Sequence, residues 1–334
     1  MDVKSLSNLQ LAGQRLMVGF DGTALNEDLK FLIGRLRVGG VILFSRNIEG
    51  PDQLKDLCAS IQEYALSCGN PALFVAIDQE GGQVARLKKP FTQFAGNPAM
   101  SGVEDAVHFA EVTAAELSAA GINMNMAPVI DVARDDIESV MANRAFGNDP
   151  GWVSHLGVKI ITHLQRNKIM AVAKHFPGIG RTALDSHVDM PDLDTDLALL
   201  QSSDLIPFEA SIKNDVSGIM LSHIRYRKID PQWPASLSKR IAKDLLRDQM
   251  GFTGLTITDD LDMGAIVKHY GIKIVVDRLL TAGIDICLIC HKGPNIEIAF
   301  EEISKHLIDS PEMRAGGAES VQRIMRIKRR YIGV

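Results

Sequence analysis

The chain has 334 residues, of which 46% are hydrophobic and 23% are charged, an ordinary globular composition. Its net charge of −5 gives no sign of the basic surface that nucleic acids and anionic membranes attract, so we expect neither partner. The N terminus lacks a secretory signal pattern, and the chain has no apolar run of about 18 residues. We therefore expect a cytoplasmic protein. The length suits one large α/β barrel or two smaller domains.

Eight apolar segments rich in β-branched residues are predicted as strands. They cover residues 15–20, 38–44, 72–78, 123–131, 169–175, 217–223, 255–259 and 283–289. Helices are predicted between and after them, over 51–67, 102–119, 150–166, 239–250, 272–281, 294–307 and 317–331. Pro51, Ser101, Asp149 and Ser238 are expected at or beside helix starts, where proline and capping side chains are favoured.

The alternation of these segments predicts a (β/α)8 TIM-type barrel in a single domain over residues 1–334. Apolar strands without an in/out pattern, separated by helices, are typical of a covered parallel sheet. Strand after strand ends in a polar residue or is followed by one: Asp21, Ser45, Arg46, Asp78, Asp131, Lys174, His175, His223, Asp259 and His291. In a barrel these ends meet at one rim. No nucleotide-binding glycine motif is present, so no cofactor is expected.

Two further sets of residues are interpreted as structural. Cys287 and Cys290 lie three apart in a predicted strand and so point to opposite faces, which suits neither a shared metal nor a disulfide. With Cys58 and Cys68 they are expected to be reduced. The basic residues of 312–334 are predicted to form a solvated helix face; they are Arg314, Arg323, Arg326, Lys328, Arg329 and Arg330.

The segment 169–191 concentrates groups that can do chemistry. Its apolar run ends in Lys174 and His175, and a glycine-rich loop then delivers Asp185 and His187. Adjacent side chains of a regular strand point in opposite directions, so at least one of Lys174 and His175 is expected to turn away from the site. A carboxylate that holds an imidazole fixes its tautomer and raises its basicity, which makes a general acid and base near neutral pH.

Arginines near two other rim segments are candidate ligand contacts. Asp78 ends the third predicted strand, and Gly81-Gly82 allows Arg86 to return towards the rim. A carboxylate and a guanidinium suit the hydroxyls of a polar ligand, although an Asp78–Arg86 ion pair that fixes the loop is the alternative. Arg144, in the segment 143–147, is by itself a weak signal that a surface arginine would also explain.

The seventh predicted strand ends in two aspartates, of which only one is expected to face the site. A rim carboxylate opposite a proton-transfer pair resembles the layout of a double-displacement glycosidase. Asp259 would then attack the sugar carbon and His187 would protonate the leaving oxygen, while Asp260 caps a helix or forms an ion pair. Because no H-x-H follows the first strand and no H-E-x-x-H is present, no catalytic metal is expected.

Five segments together resemble bacterial β-N-acetylglucosaminidases of glycoside hydrolase family 3. They are AIDQEGGQVARL (76–87), NRAFG (143–147), AKHFPGIGRTALDSHVDMP (173–191), MLSHIRYRKIDPQWPASLS (220–238) and GFTGLTITDDLDMGAI (251–266). They occur in the family's order, from about residue 10 to 295. The resemblance is specific because K-H-F-P-G, D-S-H and T-D-D-L are present together.

The resemblance implies a barrel enzyme that removes β-linked N-acetylglucosamine with retention, acting on muropeptides during cell-wall recycling in the cytoplasm. It implies Asp259 as nucleophile and His187 as acid/base with Asp185 as partner. It also implies a sugar-binding set of Asp78, Arg86, Arg144, Lys174 and His175. The family often has a second histidine in K-H-F-P-G-H-G, where this chain has Ile179. We expect activity to survive this change and the loop contacts to differ.

Three alternatives follow from the same residues. Lys174 could form a Schiff base, as in lysine-dependent aldolases on this barrel. The change at Ile179 also allows a sugar-binding barrel without catalysis. Finally, because an imidazole rather than a second carboxylate is the acid/base, phosphate could replace water as the acceptor.

Overall fold

The computed structural model describes residues 3–333, and eight parallel strands form its centre. They are β1 Leu16–Val18, β2 Gly40–Leu43, β3 Phe74–Ile77, β4 Met124–Asn125, β5 Met170–Phe176, β6 Gly218–Leu221, β7 Leu255–Thr258 and β8 Cys287–Ile289. Neighbours in sequence pair from β1 to β7, and β8 pairs with β1. A bridge between Ile257 and Ile286 joins β7 to β8. The predicted (β/α)8 barrel is therefore confirmed.

Helices surround this barrel. They are α1 Asn8–Gln14, α2 Glu27–Gly34, α3 Pro51–Ser67, α4 Val103–Ala119, α5 Pro150–Arg166, α6 Leu197–Gln201, α7 Ile206–Lys213, the π-helical segment Arg240–Gln249, α8 Gly264–Val267, α9 Ile272–Ala282, α10 Pro294–Asp309 and α11 Pro311–Ile332. Short 3₁₀ turns cover Val3–Ser5, Ser45–Asn47, Asn97–Ala99 and Ala235–Leu237. Two small sheets lie outside the barrel: Gln79–Gly81 with Val84–Ala85, and Asp192–Leu193 with Arg225–Tyr226.

All eight predicted strands are present, although most are shorter than predicted. The fourth is the most irregular: β4 has two residues, and the chain after it contacts β5 through a hydrogen bond from the Val172 amide to the Ala127 carbonyl and a bridge between Val129 and Lys174. Pro128 lies between these contacts and has no amide to donate to a sheet. The helices α1, α2, α6, α7 and α8 were not predicted; none is longer than eight residues, so each offers little periodicity to recognise.

The predicted helix starts are correct in two of the cases that depend on side-chain caps. Asp149 accepts a hydrogen bond from the amide of Trp152 at 2.7 Å, and Ser238 Oγ accepts one from the amide of Ile241 at 3.2 Å. Ser101 is not the cap of α4, because that helix begins after Gly102. Instead the amide and hydroxyl of Ser101 both donate to Asp105.

The C-terminal helix α11 closes the end of the barrel where the strands begin. Arg323 contacts the buried carboxylate of Asp285 at 2.9 Å, and Lys328 donates to Gln14 at 2.9 Å. Lys328 is fully buried, and burial lowers its pKa to about 7. The predicted solvated face of 312–334 is therefore wrong for these side chains. Asp285 and Gln14, two buried acceptors just before strands, provide partners that the sequence of α11 alone does not reveal.

Three further expectations concern membrane-spanning helices, the state of the cysteines and the number of domains. Within residues 3–333, none of the helices combines the length and the apolar content that a membrane span requires. The four cysteines are free, and Cys58, Cys287 and Cys290 are buried. That residues 1–334 form one domain stays a prediction.

Candidate active site

Two adjoining cavities of about 210 and 190 Å³ open where the barrel strands end. They share five lining residues: Val84, Arg144, His175, His187 and Asp259. Asp185 lines the first cavity, and Asp78, Arg86 and Lys174 line the second. The structure thus brings together all eight residues that the sequence singled out, from segments up to 181 positions apart in the chain (259 − 78). This convergence is what a single barrel mouth predicts.

A cluster of buried charges forms one wall. The ammonium of Lys174 lies 2.7 Å from Asp78 Oδ1 and 2.6 Å from Glu80 Oε1. Arg144 makes a two-pronged contact with Glu80, at 3.0 and 2.7 Å, and Arg86 lies 3.4 Å from Asp78. Bidentate charged hydrogen bonds of this kind fix side chains strongly. The wall is therefore preorganised.

The pKa values show that these groups stay ionised. Burial alone would raise the pKa of Asp78, but Lys174 and Arg86 outweigh it and the pKa is about 2. Burial would also raise the pKa of Glu80, but Lys174 and Arg144 outweigh it and the pKa is lowered. Burial would lower the pKa of Lys174, yet the two carboxylates raise it overall. A Schiff base needs a neutral amine, so this environment does not support the aldolase alternative.

Glu80 is a member of this wall that the sequence reasoning missed. It lies in the hairpin formed by Gln79–Gly81 and Val84–Ala85. Residues two apart on an extended chain face the same way, and Asp78 and Glu80 both contact Lys174. The two-residue spacing between Asp78 and Glu80 was therefore a signal in the sequence that Glu80 belongs to the site. The tight turn needs glycine at 82, where φ is +60° and a Cβ would lie 2.9 Å from a backbone oxygen.

Lys174 and His175 both line the cavity, so the expectation that one would turn away is wrong. Both side chains are almost fully buried, at 3% and 5% exposure. The register between β5 and β6 shifts between Ala173 and Phe176, and the peptide bond that joins the two residues is cis. Side-chain alternation belongs to a regular strand, and the strand is not regular at this point.

His175 is held by Asp131, a second residue missing from the predicted site. Asp131 is fully buried and accepts hydrogen bonds from His175 Nδ1 at 2.8 Å, from the His175 amide at 3.2 Å and from the Ile179 amide at 2.8 Å. Its position at the end of the fourth predicted strand was the signal in the sequence that Asp131 lies at the rim. Because Ile179 contributes its amide, that contact does not depend on which side chain stands there.

Asp259 lies just after β7 and lines both cavities. Its Oδ1 accepts a hydrogen bond from the amide of Asp260 at 2.9 Å. Burial would raise the pKa of Asp259, but His175 and His223 outweigh it and the pKa is lowered. The group is therefore an anionic carboxylate facing a cavity, as a nucleophile must be.

Asp260 also lines the cavity, so the expectation that only one of the two aspartates would face it is wrong. Strand β7 ends at Thr258, and the alternation of a strand does not extend beyond it. Asp260 Oδ1 accepts the amides of Asp262 and Cys290, both at 3.0 Å, and burial raises its pKa to about 6. The fully buried His223, also missed, contacts the carbonyl of Asp260 at 2.8 Å.

Asp260, Asp262 and His291 place possible metal-ligand atoms within 4.8 Å of one another. Asp262, however, already accepts hydrogen bonds from the His291 amide at 3.1 Å and from Asn295 at 2.9 Å. These bonds connect the chain after β7 to the chain after β8. We interpret the three side chains as a structural contact.

The Asp185–His187 pair lies on the exposed tip of the loop after β5. Asp185 Oδ1 is 2.8 Å from both the amide and the Nδ1 of His187. Burial would raise the pKa of Asp185, but the two hydrogen bonds with His187 outweigh it and the pKa is lowered. The side chains are 55% and 67% exposed, whereas the start of the loop is fixed by Tyr226, whose hydroxyl donates to the Gly178 carbonyl at 2.7 Å.

An anionic carboxylate and an Asp–His pair at one mouth of a (β/α)8 barrel are an arrangement that suits a glycosidase. The model of the glycosyl hydrolase family 3 N terminal domain matches residues 7–327. The chain therefore belongs to glycosyl hydrolase family 3, as its motifs predicted.

The chain is similar to several known members. A curated β-hexosaminidase from Nitrosomonas eutropha is 37% identical over 285 residues, which are 83% of this chain and 80% of that protein. A solved β-N-acetylglucosaminidase from Paenibacillus superposes with a TM-score of 0.94 at 33% identity, over 98% of this chain but only 63% of that one. A β-N-acetylhexosaminidase from Beutenbergia cavernae has a TM-score of 0.89 at 29% identity, over 99% of each chain. The predicted enzyme class, a β-N-acetylhexosaminidase, is confirmed by these relatives.

Proposed function

We propose that the chain is a retaining β-N-acetylglucosaminidase that works through a glycosyl-aspartate. The observation that carries this proposal is that two different elements supply one cavity. Asp259 enters it from the end of β7, and the Asp185–His187 pair enters from the loop after β5. A nucleophile and a separate proton donor at one cavity are what double displacement requires.

In the first step Asp259 attacks the anomeric carbon and the bond to the leaving oxygen breaks. His187 donates a proton from Nε2 to that oxygen, because its Nδ1 is bound to Asp185. The negative charge of Asp185 stabilises the imidazolium before transfer and holds the ring in this orientation. The product of the step is a sugar ester of Asp259 and a free alcohol.

In the second step the neutral His187 takes a proton from a water molecule, and the resulting hydroxide attacks the anomeric carbon. The ester bond breaks and the Asp259 carboxylate is released. Two inversions at the same carbon give overall retention. One histidine thus serves as acid in the first step and as base in the second.

The buried wall binds the sugar in this mechanism. Asp78 supplies a carboxylate acceptor, while Arg86, Arg144 and Lys174 supply donors to hydroxyl groups. His175, fixed by Asp131, is the fifth member. Since these side chains are already held by one another, little conformational entropy is lost when the sugar binds.

Chromogenic β-glycosides with and without the 2-acetamido group test the proposal. We expect release of p-nitrophenol from the N-acetylglucosaminide, and a loss of about 10³-fold or more for Asp259→Ala. A fluorinated substrate analogue should leave a sugar adduct on Asp259 that mass spectrometry locates. Normal turnover by Asp259→Ala would overturn the proposal, and sugar binding without turnover by the wild type would favour the non-catalytic alternative.

We also propose a muropeptide substrate and a cytoplasmic site of action, as the family resemblance implies. His187 is 67% exposed, so the leaving-group side of the cavity is open enough for a large aglycone. The test compares release of N-acetylglucosamine from anhydromuropeptides and from chitobiose, in phosphate and in phosphate-free buffer. A preference for chitobiose would contradict the muropeptide proposal. A sugar 1-phosphate product would assign phosphorolysis.

A further inference from the structure

The loop that carries His187 rests directly on the segment that follows Asp259. The amide of Gly264 donates to the carbonyl of His187 at 3.1 Å, and the amide of Ala265 donates to the carbonyl of Ser186 at 3.1 Å. Both amides belong to the start of α8, five and six residues after Asp259. The two halves of the proposed chemistry are therefore in backbone contact.

The contact leaves no room for a side chain at position 264. A Cβ on Gly264 would lie 2.4 Å from the carbonyl oxygen of Val188 and 2.6 Å from that of His187. Backbone atoms cannot give way as a flexible side chain can. The loop is thus seated closely on α8 at the residue that carries the imidazole.

A second contact follows two residues after His187. Asp189 Oδ1 lies 2.6 Å from His269 Nε2, and it also accepts the amide of Met190 at 2.8 Å. The hydrogen bond to His269 is the main cause of the lowered pKa of Asp189, and the charge of Lys268 contributes. The Asp189 and His269 side chains are 45% and 42% exposed.

We propose that this Asp189–His269 contact, the loop latch, positions His187 over the leaving oxygen. The inference rests on the proposed function, because it assigns a role to residues that do not touch the reacting atoms. The amide bonds from α8 hold the loop at 186 and 187, and the loop latch holds it at 189. Between them Val188 is 60% exposed and contributes little packing. Without the loop latch, the first contact that holds the chain after Val188 is at Pro191, whose carbonyl accepts a hydrogen bond from the amide of Arg225 at 3.0 Å.

An ordinary surface ion pair would behave differently. Such pairs contribute about 0–1 kcal/mol to stability and have no reason to affect one chemical step more than another. A positioning pair acts through His187, so its loss should weaken proton donation. Proton donation matters most when the leaving group is a strong base, and little when it is a stable anion. The dependence of rate on the leaving group separates the two roles.

The test measures kcat/KM of His269→Gln and Asp189→Asn on a series of aryl N-acetylglucosaminides, from 2,4-dinitrophenyl to phenyl. We expect about a tenfold loss on the phenyl glycoside and less than about twofold on the dinitrophenyl glycoside. The double variant should lose no more than either single variant, because both remove the same contact. Lys268→Gln is the matched control: it removes a neighbouring charge but not the hydrogen bond, and should match the wild type.

Equal losses of kcat/KM on all leaving groups, or no loss, would overturn the proposal that the loop latch positions His187. Thermal unfolding of each variant reports any general loss of structure. Asp259→Ala and His187→Ala, measured in parallel, test the proposed function itself. If those two variants lose activity as expected while the latch variants keep the wild-type leaving-group dependence, only the loop latch fails; if Asp259→Ala is active, the proposed function fails.

Discussion

The mouth of the barrel holds two Asp–His pairs with the same contact and opposite surroundings. In each pair a carboxylate oxygen lies 2.8 Å from the Nδ1 of the histidine. In the Asp131–His175 pair the side chains are 0% and 5% exposed, whereas in the Asp185–His187 pair they are 55% and 67% exposed. The difference between them lies in what else holds each pair.

In the buried pair, both carboxylate oxygens of Asp131 accept hydrogen bonds. That carboxylate binds two backbone amides in addition to the ring of His175. A buried carboxylate needs such partners because desolvation is costly. His175 is thus a rigid part of the cavity wall, and it is the first of the neighbours that lower the pKa of Asp259 against the effect of burial.

Among residues 3–333, the exposed pair has only its own hydrogen bonds and the contacts of the loop backbone. Such a pair can exchange protons with water and can move as the leaving group departs. The same two residue types therefore serve two purposes, and burial decides which. Fixed groups suit binding and electrostatics, while the accessible pair suits proton transfer.

Replacing each histidine gives the largest expected contrast. We expect His187→Ala to lower kcat/KM by about 10²–10⁴-fold on phenyl glycosides and much less on dinitrophenyl glycosides, because only poor leaving groups need the proton. His175→Ala should lower kcat/KM for all leaving groups alike, because it removes sugar contacts. Steady-state kinetics on the same aryl series measures both.

Azide provides the control for His187→Ala. A small anion needs no general base in the second step, so azide should restore turnover of the dinitrophenyl glycoside, whose first step needs no proton donor, and yield a β-glycosyl azide. If His175→Ala rather than His187→Ala showed the leaving-group dependence and the azide rescue, the roles of the two pairs would be exchanged.

The next largest effect is on stability. Asp131→Ala leaves buried donors of His175 and Ile179 without an acceptor, and we expect the free energy of unfolding to fall by about 3 kcal/mol. Urea denaturation measures the change. Asp131→Asn keeps one acceptor oxygen and should lose less. An unfolding curve of Asp131→Ala that matched the wild type would mean that the buried pair is not the more structural of the two.

The sequence predicted the barrel and the convergence of eight site residues because both depend on local patterns. Parallel strands show as uninterrupted apolar runs, and a barrel brings every strand end to one rim. The exposed pair was also recognisable, since Asp185 and His187 are two apart in the chain. The partners of the buried groups have weaker signals, a two-residue spacing for Glu80 and a strand end for Asp131, because the contacts that define their roles come from residues distant in sequence.

Two of the incorrect expectations have the same cause. At Lys174–His175 and at Asp259–Asp260, strand alternation was extended to positions where the regular strand is interrupted or has ended. The functional groups lie at those ends, so the rule fails where it matters most. Likewise the basic face of α11 was predicted to be solvated, because its acidic partner Asp285 belongs to a segment that is remote in sequence.

The charges of the wall predict a dependence of stability on pH. The pKa of Asp78 is about 2 in the folded protein, below its usual value of 3.8, so its ionised form stabilises the fold above about pH 4. This contribution is lost as the pH falls towards 2. The difference in unfolding free energy between wild type and Asp78→Asn should therefore shrink by about 2 kcal/mol from pH 5 to pH 2.

Denaturation at several pH values measures that difference. The corresponding comparison for Asp185→Asn should change much less, because its carboxylate is more than half exposed and solvent screens its contact with His187. A constant difference between wild type and Asp78→Asn would mean that Asp78 is not held by Lys174 and Arg86 in solution.

The smallest expected effect is that of Asp185→Ala on stability. This variant should lose activity rather than stability, whereas Asp131→Ala is expected to lose stability. Removing Asp185 takes away one exposed pair contact and an amide bond at a loop tip, so the unfolding free energy should change by less than about 0.5 kcal/mol. Its kcat/KM on phenyl glycosides should nevertheless fall about 10-fold or more, because His187 loses the group that holds its tautomer. A large loss of stability would show that the exposed pair also supports the fold, and the division between a rigid and a mobile Asp–His pair would then not hold.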